Sequence, residues 1–149
     1  MEEILAFILP EAERQGVQLR SHLGPAMPQV DGDYLQLRQA LLNLFINALQ
    51  AMPDGGNIEV NASASSTNEV QIVVKDNGCG IAPENLSKLF DPYFTTKIRG
   101  FGLGLTVVER IVQEHGGTIQ VASEQGNGAS FTIRLPARHV SENVEVCIT

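Results

Sequence analysis

DYLQLRQALLNLFINALQAM, residues 33–52, carries two patterns at once. Asp33 stands where a helix N-cap belongs, and Pro53-Asp54-Gly55-Gly56 ends the segment in a turn, so the stretch predicts one long helix. Its polar residues Gln36, Gln39, Asn43, Asn47 and Gln50 recur at steps of 3, 4, 4 and 3, which puts them in one narrow stripe. Leu37, Leu41, Leu42, Leu44, Phe45, Ile46, Ala48 and Leu49 surround that stripe with apolar side chains. A solvated helix face is ordinarily built of Glu, Lys and Arg. Here it is almost all neutral amide, and the sequence predicts a buried helix with amides inside, where each needs a partner. Those partners are either neighbouring backbone groups or a ligand, and an amide oxygen is a hard donor able to complete the shell of a Mg²⁺ otherwise held by phosphates and water.

On the N-terminal side, residues 2–15 read as a helix with Pro10 as an irregularity, and Val17 to Leu23 alternates as a half-buried strand. Gly24, Pro25, Pro28 and Gly32 mark the loop into the long helix. On the C-terminal side come two alternating strands, Ile58 to Ala64 and Val70 to Val74, joined by a turn at residues 65–68. Residues 76–104 are irregular and glycine-punctuated, with a short helix starting near Pro83; long segments of this kind tend to be functional. A second long helix, Leu103 to His115, ends at Gly116-Gly117, and strands Thr118–Ser123 and Ala129–Leu135 close the fold. The order predicts an α/β fold, a two-layer sandwich of helices on a mixed sheet, over residues 1–136, with 137–149 as a C-terminal tail.

Two further segments carry chemistry. In Asp76-Asn77-Gly78-Cys79-Gly80-Ile81, Asp76 shares strand parity with Val70, Ile72 and Val74, so its carboxylate points to the core side of the sheet. A buried carboxylate must accept good hydrogen bonds, and the exocyclic amine of adenine is one suitable donor. Gly78 and Gly80 let the backbone pass close to a flat ligand; alternatively the hexapeptide is an ordinary Asp-Asn-Gly turn. Gly100-Phe101-Gly102-Leu103-Gly104-Leu105 opens directly into a helix, where free N–H groups and the dipole favour phosphate. No Gly-Lys-Ser/Thr follows, which excludes a P-loop, and the loop ends the irregular segment instead of following a strand, unlike a dinucleotide turn.

Composition narrows the partners. The 149 residues suit one domain, and a net charge of −7 with ten scattered Lys and Arg argues against a nucleic-acid backbone. An anionic ligand would have to be held by local devices against the field of the whole protein. No apolar run reaches the roughly 18 residues a membrane span needs, and Met1-Glu2-Glu3 lacks the basic start of a signal peptide, so a cytoplasmic domain without membrane contact is expected. Cys79 and Cys147 match no zinc or redox spacing and are expected as thiols.

Taken in order, these segments resemble the signature of the GHKL ATPase and kinase superfamily. Asn43-Leu44-Phe45-Ile46-Asn47-Ala48 resembles its N box, Asp76 to Gly80 its G1 box and Gly100 to Gly104 its G2 box. Leu89-Phe90-Asp91-Pro92-Tyr93-Phe94-Thr95-Thr96-Lys97 looks like the F box of sensor histidine kinases. The resemblance spans about residues 1–136 and is nearest to the short-lid kinases of nitrogen-regulatory type. It implies a Bergerat-type sandwich with ATP between the helices and the sheet, under a lid at about residues 91–101.

By the same resemblance Asn47 is the Mg²⁺ ligand and Asn43, with Gln50 on the same stripe, lines the phosphate site. Asp76 binds the adenine amine, and Gly78, Gly80 and Ile81 shape the base pocket. Gly100, Gly102, Leu103, Gly104 and Leu105 cradle phosphates, Lys97 neutralises charge near the γ-phosphate, and Phe90, Thr96 and Thr132 complete the nucleotide contacts. Phe101 departs from the pattern, which usually has a small residue between those glycines.

Family phosphoacceptor histidines sit on a helical hairpin and are usually followed by an acidic residue; His22, His115 and His139 are followed by Leu, Gly and Val. The expected partner is therefore a histidine-containing dimerisation domain of the same parent kinase, with a response regulator downstream. His115 is expected to stabilise a helix C-terminus. Two other readings belong to the same superfamily: a serine kinase acting on a sigma-factor antagonist, and an ATPase clamp. The clamp needs a general base, typically Glu, where this chain has Asn43, an amide that takes no proton. A nucleotide-binding module without catalysis is the reading from another class.

Overall fold

The computed structural model describes residues 1–94 and 104–138. Helix α1 (Glu2–Gln15) buries Ile4, Ile8 and Ala12, one residue per turn, and carries Pro10 on its exposed side. Gly16, left-handed at φ 77°, ends it and turns the chain into β1 (Val17–Leu23). After a loop, α2 (Tyr34–Gln50) starts on Asp33, whose carboxylate accepts the amides of Leu35 and Gln36 at 2.9 and 3.2 Å. Such a cap is worth about 1 kcal/mol. Strands β2 (Gly56–Ser65) and β3 (Glu69–Asp76) follow, then the single turn α3 (Pro83–Leu86), α4 (Gly104–Glu114), β4 (Thr118–Glu124) and β5 (Gly128–Pro136).

The five strands lie in the order β1-β2-β3-β5-β4, with β1 parallel to β2 and the remaining pairs antiparallel. Register aligns Val60 with Val74 and Val74 with Phe131, and likewise Ala62 with Ile72 and Ile72 with Ile133, so one face of the sheet is continuously apolar. Helices α1, α2 and α4 cover that face; Phe45, Leu44, Ile58, Val60, Val74, Val108, Ile111 and Val112 are fully buried in it. The other face is polar: Arg134 donates to Gln71 and Gln120, its neighbours on β3 and β4, at 3.2 and 2.9 Å. This is the expected two-layer α/β sandwich.

Three expectations need correcting. The sequence predicted an α2 buried all round with its amides inside. Instead Leu41, Leu44, Phe45, Ala48 and Leu49 face the core, while Gln39 and Gln50 are exposed and Gln36, Asn43 and Asn47 half-buried. Leu35 and Ile46 are exposed as well, so apolar character did not measure burial here. Strand β1 alternates only at its start: Val17 is buried, but Ser21 to Leu23 are exposed, because β1 is an edge strand. Finally, the fold runs past 136: Ala137 is buried, and the Arg138 amide donates to Gln29 while its guanidinium pairs with Asp31 at 3.4 Å.

His115 behaves as expected and does more. Its Nε2 accepts the amide of Asp33 at 3.0 Å, which leaves Nδ1 to carry the hydrogen donated to the Ile111 carbonyl at 2.6 Å. One neutral ring thus ties the end of α4 to the start of α2. Gly32 leaves the room for it, since a Cβ there would collide with the imidazole. Among the described residues, no helix is long and apolar enough to cross a membrane.

Candidate functional site

Asp76 is the last residue of β3, and the face it shares with Ile58, its partner across β2, is the buried one. It is only 4% exposed, the one buried charged side chain among the described residues. Its Oδ1 accepts the amide of Gly78 at 2.9 Å, which folds the chain away from the sheet. The loop that follows is fastened on two sides. Towards α2, the Cys79 amide donates to the Ala51 carbonyl at 3.1 Å. Towards the β4–β5 turn, the Ile81 amide donates to Ser123 Oγ at 2.8 Å and the Gly126 amide to the Cys79 carbonyl at 2.7 Å.

Those contacts revise why the two glycines are needed. A Cβ on Gly78 would stand 2.5 Å from the Ala51 carbonyl oxygen, and one on Gly80, itself at φ +68°, would overlap the Glu124 carbonyl. The close approach that the sequence suggested for a flat ligand is made to protein backbone. Gly78 and Gly80 hold the loop in place, with half-buried Ile81 at its end.

The amide stripe of α2 runs down the side of the helix away from Leu41, Phe45 and Ala48, along the border with α4. Asn43 Nδ2 donates to the carbonyl of Gly104 at 3.3 Å, joining the middle of α2 to the first residue of α4. Among the described residues, no atom lies within 4 Å of where a Gly104 Cβ would stand. Leu105 is half-buried beside it, and Thr106 Oγ1 donates to the carbonyl of Phe90 at 3.1 Å, anchoring the segment after α3 to the same helix. Thr96, Lys97, Gly100, Phe101, Gly102 and Leu103 lie outside the described residues.

Thr132 does not belong to this group. It pairs with Val73, not with Val74, and strand parity puts it on the polar face of the sheet, opposite Asp76. With Phe90 it lines an open hollow of about 470 Å³ at the β4 edge, together with Ile119, Gln120, Val121 and Ala122. Neither Asp76 nor either asparagine of α2 reaches that hollow, so it is not the candidate site.

The site thus joins a buried carboxylate suited to a base amine, neutral amide oxygens suited to a hard cation, and a helix head suited to an anion. Residues 32–139 match the family described as histidine kinase-, DNA gyrase B-, and HSP90-like ATPase. The chain belongs to that family. It is 48% identical over 132 residues to the sensor histidine kinase ZraS of Escherichia coli strain K12, covering 89% of this chain and 28% of ZraS. It is 39% identical over 142 residues to sporulation kinase E of Bacillus subtilis strain 168, covering 95% of this chain and 19% of that one. The chain therefore spans less than a third of the length of these relatives. Among solved structures, full-length ShkA in complex with AMPPNP superposes with a TM-score of 0.82 at 31% identity, over 91% of this chain and 29% of ShkA. The mycobacterial sensor histidine kinase MprB does so with 0.79 at 30% identity, over 93% and 95%.

As a member of this ATPase family the chain is an ATP-binding catalytic domain of the histidine-kinase kind. Its N and G1 segments, 29 residues of chain apart from Asn47 to Asp76, are brought to one place by Cys79 bonding to Ala51 at the end of α2. What sequence reading missed is the support behind the family's G1 loop, above all Ser123. The signal was there: Ser123 continues the inward parity of Ile119 and Val121, and a polar side chain at an apolar position asks for a partner.

Proposed function

We propose that this chain binds Mg·ATP and transfers its γ-phosphoryl group to a histidine on a dimerisation domain outside residues 1–149, as one step of two-component signalling. The observation that carries the reading is the buried Asp76 carboxylate at the foot of a loop fastened to α2, the helix whose Asn43 bonds the first residue of α4. Asp76 accepts the adenine amine, with Gly78, Gly80 and Ile81 bounding the base. Asn43, Asn47 and Gln50 face the phosphates, and Gly104 and Leu105 present the N-terminal amides of α4 to them. Asn47 would hold Mg²⁺ through its amide oxygen, and the half-buried amides of Asn43 and Asn47 fit such an ion, since both are hard, neutral donors. Bound Mg²⁺ would neutralise phosphate charge and orient the leaving group. Thr96, Lys97, Gly100, Gly102 and Leu103 complete the phosphate side in this reading.

In the transfer the acceptor imidazole nitrogen supplies the lone pair that forms the N–P bond, while the bond from the γ-phosphorus to the β–γ bridging oxygen breaks and ADP leaves with that electron pair. No base is required of this domain, which is consistent with Asn43 standing where an ATP-hydrolysing clamp carries a proton acceptor. The domain's work is positioning and charge stabilisation. The phosphohistidine then passes its group to a response regulator, and ATP supply puts the domain on the cytoplasmic side. The test is incubation with γ-labelled ATP, Mg²⁺ and a supplied dimerisation domain. Acid-labile label on that domain's histidine is the expected result; label on His22, His115 or His139 of the isolated chain would refute the reading.

A further inference from the structure

The loop from Asp76 to Ile81 is held closely at both ends: the Asn77 amide donates to the Asn57 carbonyl of β2 at 3.3 Å and its Oδ1 accepts the Asn57 amide at 2.8 Å, the Cys79 amide donates to Ala51, and the far end is held by the turn between β4 and β5. Ser123 is the hub. Its hydroxyl accepts the Ile81 amide at 2.8 Å and donates its own hydrogen to the Gly128 carbonyl at 2.8 Å, so one side chain spans the loop and the far side of the turn. The Gly126 amide adds a bond to Cys79. Two glycines close the gap: a Cβ on Gly80 would overlap the Glu124 carbonyl, and one on Gly128, at φ +91°, the Asp76 carbonyl. The loop is therefore fitted to the β4–β5 turn from Asp76 at one end to Ile81 at the other.

We infer that Ser123 is a positioning residue for base selection, setting through Ile81 the distance between the loop and the Asp76 carboxylate. This rests on the reading of residues 76–81 as the base pocket. A hydroxyl suits the task because it is donor and acceptor at once, and only a residue with both roles bridges an N–H and a C=O in line. Alanine in its place leaves the Ile81 amide and the Gly128 carbonyl without that partner, and frees the loop to shift relative to Asp76. The phosphate side is built on α2 and α4, where Asn43 bonds Gly104, whereas Ser123 bonds Ile81 and Gly128, so the phosphate side is expected to stay as it was.

The experiment is calorimetric titration of the wild-type chain, Ser123→Ala and Ser123→Thr with Mg·ATP, Mg·GTP and Mg·tripolyphosphate, with amide exchange followed residue by residue. In Ser123→Ala, ATP affinity is expected to fall on the order of tenfold, the preference for ATP over GTP to narrow, and tripolyphosphate affinity to stay unchanged. The Ile81 amide should exchange faster while those of Val121 and Phe131 keep their protection, and Ser123→Thr, which retains the hydroxyl, should restore base preference. Wild-type binding of ATP with Ser123→Ala unchanged in affinity and base preference would overturn the inference alone. Equal loss of ATP and tripolyphosphate would overturn it too, because that is the mark of general loosening. A wild-type chain that bound no ATP would overturn the reading of the pocket and the inference with it.

Discussion

Replacing Asp76 by Asn changes two atoms at a position that is 4% exposed and isosteric between the two residues. The side-chain oxygen can still accept the Gly78 amide at its present 2.9 Å, so the turn into the loop survives. What changes is the other carboxyl oxygen, replaced by an NH₂ donor that in the proposed complex would face the donor of the adenine amine. The complex loses a charge-assisted hydrogen bond and confronts two donors in a place sealed from water. A buried polar group left unsatisfied costs about 1–3 kcal/mol. At 1.4 kcal/mol per factor of ten, that is a loss of roughly 5- to 150-fold in ATP affinity. Calorimetric titration with Mg·ATP measures it, and a thermal melt of the apo-protein checks that the fold is intact. ATP affinity unchanged in a folded Asp76→Asn protein would refute the placement of adenine on this carboxylate.

Asn47→Ala is expected to abolish most of the gain in affinity that Mg²⁺ brings while metal-free ADP binds as before; titration with and without EDTA separates the two, and equal losses would make Asn47 a structural amide. Gly80→Ala puts a methyl group on a residue at φ +68° that is already against Glu124, and a loss of at least about 1–3 kcal/mol is expected from strain of this kind, read from the urea midpoint. His115→Ala removes the acceptor of the Asp33 amide and the donor to Ile111; the unfolding free energy is expected to fall by about 1–3 kcal/mol, and a midpoint within error of wild type would show that the ring is not a tie between α4 and α2. The isolated chain is expected to bind ATP yet release phosphate no faster than the buffer control, since it offers neither an acceptor hairpin nor a base; a malachite-green assay showing steady turnover would contradict this.

Much of this protein is local and was legible as such. The 3, 4, 4, 3 spacing from Gln36 to Gln50 requires a helix, Asp33 caps it, and the period of two in Val70, Ile72, Val74 and Asp76 puts that carboxylate on the buried face, because side-chain direction follows from backbone period alone. The four ordered motifs identified the family for the same reason: each needs particular residues at fixed short separations. What only the tertiary structure decided is what lies across from each residue. Whether the α2 amides sit inside a core or along its border depends on which elements pack against α2, and those include α1, α4 and β3, which local sequence does not bring together. Parity already sets Thr132 on the face opposite Phe131, Ile133 and Leu135; its place among the nucleotide contacts came from the resemblance, and the register of β5 with β3, Val74 opposite Phe131, leaves it across the sheet from Asp76. The glycines of the loop could not declare whether ligand or protein approaches them. Ala51 and Glu124 occupy those places because the chain brings the end of α2 and the β4–β5 turn to the same loop, a closure that no local pattern encodes.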